Sequence, residues 1–428
     1  MNIYQELKER GFCYQQTDEA AVEKLLTTGN VRFYVGFDPT GNSLHVGHLL
    51  PVMAMRLMQK AGHTPIVLVG GATAQIGDPS GRSTARPIMT LETIQENVNC
   101  LRNQLKRFID DSDGKAIFVN NADWLCKIGY IEMLREVGHI FSVNRMLGQD
   151  SVKSRLENGL SFLEFNYSIL QGYDFYILNR DYGCKLEMGG QDQWGNMVAG
   201  TELVRRKSGN EVQCMTIPLL MNPATGQKFG KSVGGASVWL DPERTTVFDY
   251  YQFWRNCDDS ILPELMMKFA VELPLEECRA LGQCENINRA KEILAFEATK
   301  LAHGEKAAQE AFVAAGTRFG FADPEKKVKT TSTIMQVDAQ SVSADFPVAE
   351  IDPAVFDEPT GLTIPKLIVL AGLAKTNSDG RRLIQGGAVS IDGEKVTDPA
   401  QQLTKEDFAN GSLTLKAGKK NFRKIVLK

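Results

Sequence analysis

Two rhythms of apolar residues alternate along the first 240 positions. Short, continuous, β-rich runs are followed by longer stretches with apolar residues three and four apart, the pattern of a parallel sheet covered by helices. Thr17 is placed to cap a helix that carries Val22, Leu25 and Leu26 on one face and stops at Gly29. Residues 31–37 then read as a strand, a loop runs from Asp38 to Ser43, and a helix covers about Val46 to Ala61. The unbroken apolar run from Pro65 to Val69 predicts a strand buried on both faces, completing a βαβ unit. Further on, Ser161 and Glu164 form a capping box for a helix from Phe162 to about Leu178, and Lys185 to Met188 reads as another strand. From Thr245 to Phe321 the spacing is helical throughout, as in Leu262, Leu265, Met266 and Phe269. Five of the sixteen prolines lie between Pro324 and Pro365, and a compact α+β pattern follows Gly361. The expected organisation is an α/β parallel-sheet domain over 1–244, an all-helical domain over 245–322, a Pro-rich linker over 323–360 and a small α+β domain over 361–428.

Composition narrows the class. The 428 residues are 43% hydrophobic and 23% charged, as in ordinary globular proteins and unlike disordered or collagen-like chains. No apolar run approaches the roughly 18 residues of a membrane span, and the first residues are too polar for a signal peptide, so a cytoplasmic protein is expected. The eight cysteines show no C-x-x-C pair and no clustered histidines, which predicts reduced thiols and no structural zinc. The net charge of −4 conceals an asymmetry: Leu362 to Lys428 holds 12 Lys and Arg against 6 Asp and Glu, leaving −10 on everything before it. An acidic body with a basic appendage suits one module that touches a polyanion, although a solvated basic surface explains the charge equally well.

Four segments carry candidate chemistry. Residues 34–48, Tyr-Val-Gly-Phe-Asp-Pro-Thr-Gly-Asn-Ser-Leu-His-Val-Gly-His, run from strand end to helix start and hold two of only five histidines, His45 and His48. A helix start can hold phosphate and a glycine admits a ligand to the backbone, though an isolated His-x-x-His is more often incidental. Residues 226–232, Gly-Gln-Lys-Phe-Gly-Lys-Ser, fall one residue short of a P-loop but can clamp polyphosphate with two lysines. In the helix from Phe162, Tyr167, Gln171 and Asp174 share a stripe with Leu163, Leu170 and Leu178, so polar groups in an apolar seam need partners, from the protein or from a ligand. Finally, Gly189-Gly190-Gln191-Asp192-Gln193-Trp194-Gly195-Asn196 follows a strand end, where a ribose or an amino-acid headgroup fits an open α/β sheet.

In this order and at these spacings the segments resemble class I aminoacyl-tRNA synthetases, and among them the bacterial tyrosyl family. His45 to His48 is similar to the HIGH motif of that family and Lys228 to Ser232 to its KMSKS motif; Gly71 to Thr73, Gly77 to Gly81 and Asp192 to Asn196 also match. Residues 362–398, with Arg381-Arg382-Leu383-Ile384 and Gly386 to Gly393, resemble a small RNA-binding module shared with a ribosomal small-subunit protein. The sequence departs from the common pattern at Val46, Phe229-Gly230, Gln191 (usually serine), Val35 (often cysteine) and Arg82 (often lysine).

The resemblance implies a Rossmann-like catalytic domain, a helical tRNA-contacting domain and a C-terminal RNA-binding domain. It implies activation of L-tyrosine by ATP, with Mg²⁺ arriving on ATP and no tightly bound cofactor or metal, followed by transfer to tRNA(Tyr). By similarity, Thr40 and His45 grip the outgoing phosphates, while Gly36, Asp38, Gly47, His48, Gly190 and Asp192 serve the rest of ATP. Lys228, Lys231, Ser232, Arg82 and Arg86 close over pyrophosphate. Asp78, Tyr167 and Gln171 match the ammonium site, Gln193 lies near the carboxylate, and Tyr34 and Asp174 match the pair that reads the phenol hydroxyl. In the basic tail, Arg381, Arg382, Lys419, Lys420 and Arg423 are the candidate RNA contacts. The family forms homodimers, and 128–143, with Ile131, Met133, Leu134, Val137, Ile140 and Phe141, can supply part of an interface or equally be core. The tryptophanyl family shares fold and motifs, but the phenol-reading pair and the C-terminal module argue against it. Intact His45, His48, Lys228 and Lys231 argue against a non-catalytic RNA-binding relative.

Overall fold

The computed structural model describes residues 1–80, 88–156, 159–221, 226, 229–230, 236–339, 342, 348–409, 411–418 and 422–428. Its first sheet has five parallel strands, β1 (Arg32–Phe37), β2 (Thr64–Val69), β3 (Ile117–Asn120), β4 (Leu186–Gly190) and β5 (Gln213–Ile217), in the order β3-β2-β1-β4-β5. The central strands are buried on both sides, with Phe33, Tyr34, Val35, Ile66 and Val67 all almost wholly covered, which is why their sequences are continuous apolar runs rather than alternations. The chain lays β1, β2 and β3 outward in one direction and returns to place β4 and β5 on the other side of β1. The order therefore reverses between β1 and β4, and the crevice beyond their carboxyl ends is where open α/β sheets bind ligands.

The helix expected from Val46 begins with a single 3₁₀ turn, Val46–His48, and continues as Leu49–Lys60, burying eight of its twelve residues against the sheet. Two local expectations need correction. The cap of the helix Glu19–Thr27 is Asp18, which accepts from the Ala21 N–H at 2.9 Å. The Thr17 hydroxyl is instead turned to Gln213 and the Cys214 N–H, tying the N-terminal segment to β5. The helix expected over 162–178 is two pieces, Phe162–Phe165 and Tyr167–Tyr182, joined at Asn166, whose side-chain amide donates to the Phe162 carbonyl at 2.6 Å. Leu163 is consequently exposed rather than part of the seam that holds Leu178.

Helices Val247–Arg255, Leu262–Phe269, Leu275–Gly282, Ile287–His303 and Glu305–Phe319 follow. Their buried side chains, Trp254, Phe269 and Phe296 among them, belong to one continuous core with Phe33, Val35 and Met53 of the sheet region. The first part of the expected linker is packed rather than loose. Ile334 and Val337 enter that same core. The Thr331 and Ser332 hydroxyls donate to Glu277 and Glu297 at 2.7 and 2.5 Å, and the Asp323 carboxylate accepts from the Lys327 and Val328 N–H groups.

A second, separate core begins with β6 (Val348–Ile351) and runs to the C-terminus. The remaining strands are β7 (Leu362–Thr363), β8 (Val389–Ile391), β9 (Glu394–Lys395), β10 (Gln402–Leu403), β11 (Leu413–Ala417) and β12 (Phe422–Leu427). They form a five-stranded sheet, β6-β12-β11-β8-β9, and a two-stranded one, β10-β7, beside helices Ile364–Leu370 and Asn377–Gln385. Arg381 and Arg382 are exposed on the second of these helices, Arg382 beside Asp379.

Arg423 does not present its charge to solvent as expected for an RNA contact. Its guanidinium is nearly buried and pairs through both terminal nitrogens with Asp249 of the helical region. Next to it, Phe422 is covered by the Arg318 guanidinium at 3.5 Å from the ring centre and by the Phe319 ring. Phe422 and Arg423 thus fasten the C-terminal unit to the helices. Lys419 and Lys420 lie outside the described residues.

Candidate active site

The loop after β1 turns at Asp38 and Pro39, with the Thr40 N–H on the Asp38 carbonyl, and leaves Thr40 exposed at the crevice mouth. Asp38 sits where only a glycine can face it: a Cβ at Gly70 would lie 2.2 Å from its Oδ1. Its carboxylate accepts from the Thr73 hydroxyl at 2.7 Å and from the Tyr167 hydroxyl at 2.8 Å. Burial and the Asp38 and Asp78 charges hold the Tyr167 phenol far above its ordinary range.

His45 and His48 stack at 3.8 Å in a reciprocal cap. The Gly47 N–H donates to His45 Nδ1 and the His45 N–H to His48 Nδ1, both at 3.1 Å. An imidazole that accepts at Nδ1 carries its proton on Nε2, so the cap sets both rings to donate from Nε2. Residues 229–230 and 238–239 lie beside them. The Val46 N–H donates to the Val238 carbonyl at 2.9 Å, His45 and Trp239 form a β-bridge, and Gly230 adopts a φ of 108° so close to Gly47 that a Cβ would lie 2.9 Å from its nitrogen. Phe229 anchors this loop among Phe253, Trp254 and Phe269 of the helical region. Lys228, Lys231 and Ser232 lie outside the described residues, as do Arg82 and Arg86.

Deeper in the crevice lie three buried carboxylates, each held by neutral donors. Asp78 is buried, accepts from the Ser80 N–H at 2.9 Å and from Gln193 Nε2 at 2.7 Å, and is pushed up by burial. Asp174, on the helix Tyr167–Tyr182, is fully buried and accepts from Asn121 Nδ2 at 2.9 Å and Trp124 Nε1 at 2.7 Å; burial still pushes it up to about 8. Glu187 on β4 accepts from Gln171 Nε2 at 2.8 Å and is pushed up by burial to about 7. Tyr34 on β1 is buried beside Phe175. Among the described residues no lysine or arginine forms an ion pair with Asp78, Asp174 or Glu187. With no cation beside them among the described residues, a positively charged group would favour their ionised forms.

The structure therefore brings Tyr34, Gly36, Asp38, Thr40, His45, Gly47, His48, Asp78, Tyr167, Gln171, Asp174, Gly190, Asp192 and Gln193 to the carboxyl ends of β1, β2 and β4 and the helix facing them. Sequence reasoning matched Thr73 to the family pattern without giving it a role and missed Asn121, Trp124 and Glu187; all four hold these residues in place. Asn121 directly follows β3 at the same sheet edge, a position that marks it as a site residue once the strand is placed. Gln191, in place of the usual serine, accepts the Leu219 N–H at 2.9 Å and so ties the turn after β4 to the chain after β5. No three His, Cys, Asp or Glu side chains gather as a metal site among the described residues.

A parallel sheet with its reversal at β1 and β4, a His-Val-Gly-His turn and a glycine-bearing loop against it define a class, and residues 26–320 match the family model of class I tRNA synthetases (W and Y). The chain belongs to that family. Residues 340–425 match the model of a tyrosine–tRNA ligase SYY-like C-terminal domain. Over its whole length the chain is 48% identical to the tyrosine–tRNA ligases of Clostridium botulinum (strain Alaska E43 / Type E3) and Clostridium beijerinckii, covering 99% and 100% of those proteins. The crystal structure of a C-terminally truncated mitochondrial tyrosyl-tRNA synthetase from Aspergillus nidulans is similar at a TM-score of 0.67 and 28% identity, covering 74% of this chain and 94% of that one.

Proposed function

We propose that the crevice between β1 and β4 holds L-tyrosine, with its ammonium group at Asp78, Tyr167 and Gln171, its carboxylate near Gln193 and its phenol hydroxyl at Tyr34 and Asp174. The reaction is tyrosine–tRNA ligation: tyrosine and ATP give tyrosyl-adenylate and pyrophosphate, and the tyrosyl group then passes to the 3′ end of tRNA(Tyr). The observation that carries the assignment of the pocket is its charge, buried carboxylates without a described cation at one end and a buried phenol with a held carboxylate at the other. An ammonium group neutralises the first, and the second offers hydrogen bonds that phenylalanine cannot return. Tyrosyl-tRNA synthetases are themselves the standard instance of that discrimination.

No general base is required in the first step. The tyrosine carboxylate is already ionised and attacks the α-phosphorus, pyrophosphate leaves with its bond electrons, and the site contributes position and charge. Thr40 and His45 face the outgoing phosphates, and Gly36, Asp38, Gly47, His48, Gly190 and Asp192 receive the remainder of ATP, whose phosphates carry Mg²⁺. Lys228, Lys231, Ser232, Arg82 and Arg86 are assigned to pyrophosphate on the sequence motif. In the second step a terminal ribose hydroxyl of tRNA attacks the tyrosyl carbonyl and AMP departs. Arg381 and Arg382, with Lys419 and Lys420 from the sequence, face RNA. ATP and tRNA are both available to it in the cytoplasm, and no helix among the described residues is long and apolar enough to cross a membrane.

Replacing Tyr34 with phenylalanine should leave adenylate formation measurable but lower the preference for tyrosine over phenylalanine by roughly 2- to 13-fold, the worth of one neutral hydrogen bond. Measured kcat/KM for the two amino acids in pyrophosphate exchange gives the ratio, and an unchanged ratio removes Tyr34 from the recognition of the hydroxyl. The enzyme works as a symmetric homodimer. Tyr130, Ile131, Leu134 and Val143 are 43–67% exposed, more apolar surface than one segment of a monomer usually shows, while Val137 is core. Sedimentation at micromolar concentration should give a dimer, and a monomer there would reject the interface.

A further inference from the structure

Glu187 has no place in the assignments above, yet it is a wholly buried carboxylate in the middle of the amino-acid pocket. Parallel pairing sets it directly opposite Tyr34, so the two side chains leave the same face of the sheet. One of its oxygens accepts the Gln171 amide N–H at 2.8 Å. Its other oxygen and the Tyr34 hydroxyl are both buried with no other partner among the described residues, and they lie close enough that burial, then the Glu187 charge and side chain, raise the Tyr34 phenol well above its ordinary range. We propose that Glu187 is a positioning residue for tyrosine, turning Gln171 and Tyr34 together so that each presents an acceptor oxygen to the substrate.

The inference rests on the functional reading of the pocket and follows from donor and acceptor chemistry. An amide whose N–H₂ is engaged by a carboxylate turns its oxygen the other way, towards the position of the substrate ammonium; reversed, it would present N–H groups to a cation. A Tyr34 hydroxyl turned to the second carboxylate oxygen leaves its lone pairs for the substrate phenol proton, while Asp174, pushed up to about 8 by burial, is largely protonated at neutral pH and can donate to the phenol oxygen. Both tasks need Glu187 ionised, because a protonated carboxyl becomes a donor at one oxygen. The groups facing it are Tyr34 on β1, Gln171 and Asp174 on the helix Tyr167–Tyr182, Cys184 before β4 and Cys214 on β5; both thiols are pushed up by burial, and neither brings a positive charge. Burial pushes Glu187 up to about 7, so its ionised form is lost as pH falls through neutrality.

The test compares wild type with Glu187→Gln and Glu187→Ala in tyrosine-dependent pyrophosphate exchange from pH 6 to pH 8. Wild type loses the Glu187 ionisation in this range and Glu187→Gln does not, so the ratio of their tyrosine KM values, variant over wild type, should fall about tenfold from pH 8 to pH 6. Asp174 titrates in both proteins, at a lower pH in Glu187→Gln because the Glu187 charge helps to raise it, and this moves the ratio in the same direction. Glu187→Ala should raise the tyrosine KM above that of Glu187→Gln while the ATP KM moves little in either variant. A ratio that does not change with pH, or an alanine variant with the wild-type tyrosine KM, overturns the proposal while leaving the enzyme assignment intact. The wild-type profile is an independent check that needs no variant to fold: a tyrosine KM that does not rise below pH 7 also overturns it. Exchange by wild type that does not depend on tyrosine overturns the functional reading, and this inference with it.

Discussion

Changing His45 to alanine should slow tyrosyl-adenylate formation by roughly 10²–10³-fold, the usual cost of removing one preorganised donor to developing charge. Tyrosine affinity should barely move. The reason lies in where the ring sits. Its Nδ1 is occupied by the Gly47 N–H, which commits Nε2 to donation, and stacking on His48 together with the bridge to Trp239 fixes its direction before substrate arrives. The pocket proposed for tyrosine uses Tyr34, Asp78 and the helix Tyr167–Tyr182, none of which the His45 ring holds in place, so a defect in His45 should reach the phosphate end alone. An effect confined to the transition state lowers the rate of the bound complex and leaves ground-state binding unchanged. Pre-steady-state measurement of the activation rate, with equilibrium binding of tyrosine, checks both halves. A tenfold loss of tyrosine affinity with an unchanged activation rate contradicts the role.

Removing the C-terminal unit should separate the two steps of the reaction. The sequence alone suggests a cut near Ala322, but that would strip Ile334 and Val337 from the catalytic core and leave Glu277 and Glu297 without the hydroxyls that satisfy them. A chain ending at Ala339 keeps every buried residue of that core, losing only the partly buried Val342 at its edge, and removes the second core entirely. It should make tyrosyl-adenylate at close to the full-length rate and charge tRNA roughly 10²-fold less efficiently, because RNA held by phosphate contacts is lost with the basic residues that make them. The intact enzyme's tRNA affinity should fall as salt rises, for the same reason. Full-length charging rates from the folded, shortened chain would remove the C-terminal unit from RNA binding.

The parts of the molecule legible in the sequence are those set by local pattern. Residues 31–37 and 65–69 announce buried parallel strands because both of their faces are covered, and the crevice follows from loops placed at their carboxyl ends. What escaped depends on partners far along the chain. Arg423 has the look of an RNA contact within a basic tail, but its fate is decided by Asp249, 174 residues away. The segment after Pro324 reads as a linker from its prolines, while Glu277 and Glu297, which hold it, belong to helices before it. At the break, the Asn166 side-chain amide shares the Phe162 carbonyl with its own N–H, a local contact that apolar periodicity does not register. Glu187 reads as one polar residue in an apolar strand until the register sets it opposite Tyr34.

The central claim, that the pocket reads tyrosine and commits it to ATP, is tested most directly by amino-acid-dependent pyrophosphate exchange with tyrosine, tryptophan and phenylalanine supplied one at a time to the purified enzyme. Exchange should appear with tyrosine and stay at background with the other two, since Tyr34 and the held Asp174 carboxylate offer hydrogen bonds that only the phenol hydroxyl returns at that depth. Exchange with tryptophan at a rate comparable to tyrosine would contradict it.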